Sequence, residues 1–353
     1  MSTPITFDYI AQPMDVSFGA GSLGQLREHI EKLGLTRVIV LSTPEQADLA
    51  ERVAGILGDI AGGIFTKARM HVPIEIVDEA AAVVTDMQAD GCVAVGGGST
   101  IGLGKALSLR YRIPTVAIPT TYAGSEMTPV WGLTENNVKT TGRDRAVLPV
   151  KVVYDPELTL TLPLGMSVTS GMNAIAHAVE ALWAPDRSPM IELMAEEGVR
   201  AIAAGLPRLR ETADDLVGRS ELLYGAWLCG SCLGATTMSL HHKLCHILGG
   251  TFNLPHSETH TIVLPYVLEY NLASSPSAQA ALGRALGADP VARLVELRAA
   301  WDVPSSLEQL GVKHEDLETV VAAALASPYA NPRPVTEAGL RDLLERAWSG
   351  ALG

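Results

Sequence analysis

The sequence predicts two domains, an N-terminal α/β domain built on a parallel sheet and an all-α C-terminal domain. In the first part of the chain, short β-branched runs alternate with helical patterns, which is typical of a parallel sheet covered by helices. From residue 156 onward the strand patterns stop and alanine-rich helical patterns replace them. We therefore predict one domain over residues 1–155 and a second over residues 156–353.

Four apolar runs of the first domain are predicted to be buried strands, because they are short, β-branched and bounded by turns. They are residues 36–42, 63–66, 92–95 and 114–118. A helix is predicted after Pro44, since proline suits a first helical turn. Further helices are predicted over residues 73–89, where apolar residues recur at helical spacing, and over residues 98–109.

A hairpin and a set of helices complete the predicted architecture. The stretch 130–154 has short extended pieces broken by Asn136, Asn137 and Gly142, which predicts a β-hairpin that closes the first domain. In the second domain, helices are predicted over residues 166–183, 190–206, 220–233 and 258–272.

Composition narrows the class of protein. The 353 residues carry a net charge of -13 without a basic cluster, which argues against nucleic acid and membrane surfaces as partners. No run approaches the roughly 18 apolar residues of a spanning helix, and the first residues do not resemble a signal peptide. We therefore expect a cytoplasmic protein. Cys229 and Cys232 lie in an apolar stretch, so we assign them no zinc.

The glycine triplet Gly96, Gly97 and Gly98, followed by Ser99, comes directly after a predicted strand and opens a predicted helix. Glycines let the backbone approach a ligand closely, and free N–H groups at a helix start attract anions. At this junction in an α/β sheet, a nucleotide pyrophosphate is the expected ligand. The triplet is not the G-x-G-x-x-G fingerprint, so we predict a Rossmann-like dinucleotide site that departs from the common motif.

Hydroxyl-bearing residues follow two other predicted strands. Thr120, Thr121 and Ser125 either contact the phosphates or ribose of the cofactor or form a hydrogen-bonded turn, and the sequence leaves these two interpretations about level. Ser42 and Thr43 stand where sites selective for NAD usually carry a carboxylate for the ribose 2′-hydroxyl. Because no charge there repels a 2′-phosphate, we expect the protein to use NADH or NADPH.

Histidines at helical spacing form the candidate catalytic site. Any one of them is more readily explained as a hydrogen-bonded helix residue, but the set as a whole favours a site. Its members, in pairs four residues apart plus one more histidine, are Asn173, His177, His242, His246 and His256. Gly249 and Gly250 are predicted to end the helix that carries His242, and the chain then returns His256 behind Pro255.

With these features the chain resembles the iron-containing (group III) alcohol dehydrogenase superfamily, over nearly its whole length. Residues 96–99 resemble the pyrophosphate loop of that superfamily, residues 170–177 resemble its first metal-ligand motif, and residues 242–256 resemble the region of its second and third ligands. Within the superfamily the chain resembles the maleylacetate reductase group. The phrases that carry this resemblance are FGAG at 18–21, PTTYAGSEMTP at 119–129, KTTGRD at 139–144, SGMNAIAHAVEALW at 170–183 and LPHSETH at 254–260.

The resemblance implies a dehydroquinate synthase-like, iron-containing alcohol dehydrogenase fold, and a homodimer. It implies NADH- or NADPH-dependent reduction of the carbon–carbon double bond of maleylacetate to 3-oxoadipate, in the degradation of aromatic compounds. It leaves open whether substituted maleylacetates are also substrates. The alternative is a metal-dependent alcohol or polyol dehydrogenase of the same superfamily, using iron or zinc. By the same resemblance, His71 and Lys139 lie near the cofactor.

One position departs from the metal-dependent members, which carry an aspartate where this chain has Asn173. An amide oxygen is a neutral and weaker ligand than a carboxylate, so we expect no bound metal. We then expect His242 and His256 to donate hydrogen bonds to the developing oxyanion or to a substrate carboxylate, and His246 or His177 to supply the proton. Beside a dianionic substrate the imidazoles should have raised pKa values, because negative charge favours their protonated form.

Overall fold

The computed structural model describes Phe7, residues 15–136 and residues 138–352. These residues divide into two compact units. Among the described residues, the first unit comprises residues 15–162 and Asp214–Leu223, and the second comprises Phe7, Pro163–Ala213 and the chain from Tyr224 onward. The sequence places the boundary after residue 155, whereas the units divide after Leu162, and the first unit also includes a short segment from the second half of the chain.

The described part of the first unit contains eight strands. They are β1 (Asp15–Phe18), β2 (Val38–Leu41), β3 (Ala61–Phe65), β4 (Gly91–Gly96), β5 (Thr115–Pro119), β6 (Val130–Glu135), β7 (Val138–Arg143) and β8 (Lys151–Tyr154). Six of them form a parallel sheet with the order β1-β8-β5-β4-β2-β3. Every residue of β2, β4 and β5 is buried, as expected for strands covered on both faces.

The four predicted strands correspond to β2, β3, β4 and β5 and are confirmed. No sequence pattern described above predicts β1 or β8. The edge strand β1 has four residues and exposed ends, so it lacks a clear apolar pattern. In β8, an apolar run lies inside the stretch assigned to the hairpin, and it joins the main sheet instead, between β1 and β5.

Helices and a hairpin complete the first unit. The helices are α1 (Leu26–Lys32), α2 (Ala47–Leu57), α3 (Ile74–Asp86) and α4 (Gly98–Tyr111), and the predicted ones correspond to α2, α3 and α4. The predicted hairpin is confirmed as the antiparallel pair β6–β7, with Asn136 in the left-handed conformation at the turn. Asn137 lies outside the described residues.

In the described residues after Tyr154, all regular elements are helical, as the sequence predicts. The long ones are α5 (Leu164–Ala181), α6 (Pro189–Glu211), α7 (Leu216–Ala235), α8 (Leu240–Phe252), α9 (His256–Leu272), α10 (Pro276–Leu286), α11 (Pro290–Ala299), α12 (Leu317–Leu325) and α13 (Glu337–Ser349). Helix α9 packs against α5 and α8. None of the helices in the described ranges is both long and apolar enough to cross a lipid bilayer.

The end of α8 differs from the prediction. Gly249 and Gly250 do not end this helix, which continues to Phe252 and stops where Asn253 adopts the left-handed conformation with φ 54°. Asparagine tolerates this conformation because its short polar side chain forms local hydrogen bonds, so it replaces glycine as the helix stop. The chain then needs only Leu254 and Pro255 to reach His256 at the start of α9.

Candidate active site

Three helices of the second unit carry the candidate catalytic side chains. Asn173 and His177 lie one turn apart on α5, and His242 and His246 lie one turn apart on α8. His256 is the first residue of α9. Because α9 packs against both α5 and α8, the three sequence segments meet at one place.

The imidazole rings form a single cluster. The ring centres of His177 and His242 are 5.2 Å apart, and those of His242 and His246 are 6.1 Å apart. His256 joins through His260, one turn further along α9, with ring centres 4.2 Å apart. Asn173, His177 and His242 are buried, whereas His246 and His256 are exposed. The cluster therefore extends from the interior of the helical unit to its surface.

Several polar atoms of this cluster are buried and have no hydrogen-bond partner among the residues that the structure describes. They are Asn173 Oδ1, His177 Nδ1, His242 Nε2 and His260 Nε2. Leaving such a group unpaired costs about 1–3 kcal/mol, so natural proteins rarely retain several together without a functional reason. An amide oxygen and three imidazole nitrogens are therefore available to a polar ligand.

Three residues of this region escape the sequence analysis as site members: Glu180, His241 and His260. His241 Nε2 and His260 Nδ1 share a buried hydrogen bond of 3.0 Å. Glu180 Oε2 lies 2.8 Å from His242 Nδ1. The signal for Glu180 is present in the sequence, because residues 173, 177 and 180 have the spacing of one helix face, but the sequence does not show which carboxylate meets which imidazole.

Burial sets the protonation preference of the interior rings. Desolvation, followed by the nearby imidazoles His242, His256 and His246, holds the pKa of His177 well below its usual value. Desolvation and neighbouring histidines likewise lower the pKa of His241 and His260. The sequence-based expectation of raised pKa values concerns the cluster beside a bound dianion. In the protein alone the direction is the opposite, since the neutral ring is easier to bury than the imidazolium.

The family resemblance makes it necessary to ask whether these donors fit a divalent metal. The positions that match the family's ligands supply an amide and three imidazoles and no anionic group, and a neutral set does not offset the charge of Fe²⁺. A second group, His241, Cys245 and His260, has ligand atoms within 4.8 Å of one another. The two imidazoles of this group are hydrogen-bonded to each other. Burial raises the pKa of the Cys245 thiol, and this disfavours the thiolate that would bind a metal.

The candidate cofactor residues lie in the first unit, and all except His71 and Lys139 follow the carboxyl ends of β2, β4 and β5. These three strands are neighbours. The chain places β3 on one side of β2 and then returns to place β4 on the other side, so the order in which strands are added changes direction between β2 and β4 although all the strands are parallel. Ligands of open α/β sheets bind outside the carboxyl ends of the strands at such a switch point. The sheet thus brings the predicted phosphate loop and the two hydroxyl-bearing loops to one edge.

The glycine triplet fits a pyrophosphate. Helix α4 begins at Gly98 without a side-chain cap and has no acidic residue in its first turn, so its free N–H groups favour an anion. A methyl group on Gly98 would meet no neighbouring side chain within 4 Å among the described residues, so there is open space beside this first residue of the helix, which Ser99 follows. On Gly97, by contrast, it would come within 2.9 Å of Thr121.

The hydroxyl-bearing loops are partly occupied by internal hydrogen bonds. The Thr120 N–H donates to Gly96 O at 3.1 Å, and Thr120 Oγ1 accepts from Gln46 Nε2 at 2.9 Å. Ser42 Oγ donates to Thr43 O at 3.0 Å. Thr120 therefore fits the turn interpretation as well as contact with a cofactor, since its backbone ties the loop after β5 to the glycine triplet.

A buried lysine fixes the loop that contains Ser125. Lys105 Nζ, on α4, donates to Ser125 O at 2.6 Å, to Thr128 Oγ1 at 3.0 Å and to Val130 O at 2.9 Å. The helix that opens at the glycine triplet thereby holds the loop after β5.

His71 and Lys139 are connected through the hairpin. His71 and Val72 both adopt the left-handed conformation, with φ of 65° and 49°, in the turn before α3. Thr134 of β6 donates its hydroxyl to His71 O at 2.8 Å and its N–H to Val72 O at 3.1 Å. Thr134 pairs directly with Lys139 on β7, whose side chain is exposed. The strained turn and the lysine therefore belong to one local structure of the first unit.

Comparison with known proteins agrees with this architecture. Residues 13–156 match the iron-containing alcohol dehydrogenase family, and residues 167–348 match the C-terminal part of the Fe-containing alcohol dehydrogenase family. Maleylacetate reductase from Sphingobium indicum is 53% identical over 98% of this chain and 98% of its own. The corresponding protein from Burkholderia cepacia is 55% identical over 95% of this chain and 96% of its own.

A solved structure extends the comparison to three dimensions. Maleylacetate reductase from Agrobacterium tumefaciens superposes with a TM-score of 0.95 at 49% identity, covering 98% of this chain and 99% of that one. The same group of proteins therefore matches this chain both in sequence and in fold. This chain belongs to the iron-containing alcohol dehydrogenase family and, within it, to the maleylacetate reductase group.

Proposed function

We propose that this chain, an NAD(P)H-dependent oxidoreductase, reduces the carbon–carbon double bond of maleylacetate to give 3-oxoadipate in the degradation of aromatic compounds. The observation that carries the proposal is the buried histidine cluster completed by the amide of Asn173, in a chain about half identical to maleylacetate reductases over nearly its whole length. The relatives favour this activity over the alternative, a metal-dependent alcohol or polyol dehydrogenase.

The reaction sets two tasks for the protein. A reduced nicotinamide, when bound, supplies the hydride to the alkene carbon β to the ketone. Negative charge then develops on the ketone oxygen as an enolate, and the carbon next to the ketone takes up a proton. The side chains must therefore stabilise an oxyanion and deliver a proton.

The histidine cluster has the groups for both tasks. His242 presents Nε2, for which the described residues supply no hydrogen-bond partner, and exposed His256 lies at the surface side of the cluster. We assign these two histidines to the enolate oxygen or a substrate carboxylate. We assign the proton to His246 or His177. The dianionic substrate opposes the burial effect on His177, because nearby negative charge raises an imidazole pKa. Binding of the substrate is then coupled to uptake of a proton by the cluster.

The proposal requires no metal. Asn173 and the three imidazoles form a neutral set, and the carboxylate that reaches this cluster, Glu180, already accepts the hydrogen bonds of His242 and of backbone N–H groups. Protonated imidazoles then take the electrophilic role that a bound metal ion has in metal-dependent members of the family. For the cofactor, we propose that NADH and NADPH both serve, because Ser42 and Thr43 place no carboxylate after β2.

An assay of cofactor oxidation tests the function. The purified protein is mixed with maleylacetate and either NADH or NADPH, and the product is identified by mass spectrometry. We expect one cofactor oxidised per 3-oxoadipate formed. With cofactor deuterated at the transferred position, the label should appear on the carbon β to the ketone. Reduction of simple aldehydes that requires added Fe²⁺ or Zn²⁺, without turnover of maleylacetate, would favour the alternative.

Two further predictions concern the state of the protein. We propose that it works as a homodimer, which light scattering coupled to size-exclusion chromatography tests directly. Its location in the cytoplasm and its use of substituted maleylacetates also stay predictions. The second is checked by repeating the assay with chlorinated and methylated substrates.

A further inference from the structure

The carboxylate of Glu180 is fully buried and faces the start of α8. Its oxygens accept from Ser239 N–H at 2.8 Å, from His241 N–H at 2.7 Å and, at a longer 3.4 Å, from His242 N–H. Oε2 also lies 2.8 Å from His242 Nδ1. One side chain of α5 therefore binds both the backbone that begins α8 and the ring of a candidate catalytic histidine.

This carboxylate replaces the usual cap of α8. Ser239 stands at the N-cap position, but it makes no side-chain cap, because its hydroxyl donates to Ala330 O at 2.6 Å. A carboxylate at a helix N-terminus is favourable, since it accepts from unpaired N–H groups and interacts with the positive end of the helix dipole. Glu180 thus holds α8 at a fixed position relative to α5, which carries Asn173 and His177.

The same contacts fix the tautomer of His242. Backbone N–H groups only donate, so both oxygens of Glu180 act as acceptors, and His242 Nδ1 must then carry the hydrogen that it donates to Oε2. Nε2 is left as the atom available to a ligand, and within the described part of the chain it is buried and has no hydrogen-bond partner. A buried carboxylate that orients an imidazole in this way is a recurring device of catalytic and metal sites.

We propose that Glu180 is a positioning residue of this site: it accepts the Nδ1–H of His242, aims Nε2 at the substrate and, when the dianion binds, stabilises the imidazolium whose Nε2–H donates to the oxyanion. The catalytic consequence rests on the proposed function, whereas the tautomer does not. In Glu180→Gln, one oxygen is replaced by an amide N–H₂ group. In either orientation that group faces a backbone N–H that only donates, and the neutral amide does not stabilise the imidazolium of His242.

The first test is kinetic. In Glu180→Gln we expect kcat for maleylacetate to fall by at least about 100-fold, while KM changes by less than about threefold because the substrate-binding groups remain. Glu180→Asp keeps the charge and should recover part of the loss. The matched control is Asp186→Asn. Asp186 accepts from the N–H and hydroxyl of Thr237, just before α8. The Asp186→Asn variant should have the same kcat as the wild type.

The second test reads the tautomer directly. In protein labelled with ¹⁵N-histidine, two-bond proton–nitrogen correlations distinguish Nδ1–H from Nε2–H rings, and His242→Asn identifies the signals of His242. We expect Nδ1–H in the wild type and in Asp186→Asn, and loss of this preference in Glu180→Ala, which removes both acceptor oxygens. A wild-type Nε2–H ring would overturn the proposal even if Glu180→Gln does not fold. A folded Glu180→Gln protein with kcat within about threefold of wild type would also overturn it.

Failure of the proposed function has a different result. If the wild type does not turn over maleylacetate at all, the assignment of the reaction is wrong. The tautomer measured in the wild type and in Glu180→Ala then still decides whether Glu180 positions His242.

Discussion

His241 and His260 form a hydrogen-bonded pair, Nε2 to Nδ1 at 3.0 Å, in which both rings are completely buried. Such a pair is stable only while it remains uncharged, because desolvation and the neighbouring histidines lower the pKa of each ring well below its usual value. The stability of the folded protein should therefore depend on the protonation of this pair, and so on pH.

The protein should lose stability in mild acid. Since the folded-state pKa of His241 and of His260 is depressed, the unfolded chain binds more protons below about pH 6.5. The stabilisation is fully present above that pH and falls as pH decreases, by up to about 1.4 kcal/mol per pH unit for each ring. Urea unfolding at several pH values measures the slope. His260→Asn should reduce it, and His314→Asn, at an exposed histidine, is the control. An equal slope in His260→Asn and wild type would contradict the prediction.

Asn173→Asp should create a metal site. The new carboxylate adds the anionic ligand that the cluster lacks, so affinity for Zn²⁺ or Fe²⁺ should rise at least about tenfold. The apo form should lose about 1–3 kcal/mol of stability, because the buried acid is imperfectly paired. Metal content after dialysis and calorimetric titration measure the change. Asn253→Asp, which adds the same charge at an exposed position, is the control. If Asn173→Asp binds no more metal than this control, Asn173 does not limit metal binding.

Gly98→Ala should weaken cofactor binding and leave the fold intact. The added methyl group meets no neighbouring side chain within 4 Å among the described residues, but it would occupy the space beside the first residue of α4 that we assign to the pyrophosphate. We expect the Kd for NADH to rise about tenfold to 100-fold, or about 1.4–2.8 kcal/mol. Gly55→Ala, on α2 and equally free of protein contacts, is the control. Fluorescence titration measures both, and an unchanged Kd in Gly98→Ala would place the pyrophosphate elsewhere.

Lys105→Met should destabilise the first unit. It leaves Ser125 O, Val130 O and Thr128 Oγ1 without their common donor, which we expect to cost about 3–5 kcal/mol because the site is buried. Urea unfolding with intrinsic fluorescence measures the loss. Lys32→Met removes an exposed lysine that pairs with Glu28, and its midpoint should match the wild type. A wild-type midpoint in Lys105→Met would show that the loop does not need this lysine.

The regular parts of the fold follow from local patterns. Strands β2, β4 and β5 carry the apolar runs VIVL, CVAV and TVAI and lie where these runs predict them. The edge strand β1 is short with exposed ends, so its pairing depends on a distant segment, β8, that no local pattern indicates. Asn253 ends α8 instead of Gly249 and Gly250, because tertiary packing decides which residue takes the left-handed conformation.

Local sequence patterns likewise predict only part of the candidate site. Helical spacing by itself places Asn173 and His177 on one helix face, and it does the same for His242 and His246. The partner of His242 is a different matter, since Glu180 lies on another helix and only the packing of that helix brings the carboxylate to Nδ1. Burial, which decides the direction of the pKa of His177, is equally a property of the folded unit.

Imidazoles, and not a bound metal ion, are expected to stabilise the enolate. Turnover of maleylacetate by protein stripped of metal with a chelator, verified by elemental analysis, tests this claim most directly. We predict that the stripped wild type keeps its full kcat and that His242→Ala, stripped in the same way, loses at least about 100-fold. Activity that disappears with the metal and returns on addition of Fe²⁺ or Zn²⁺ would contradict the account.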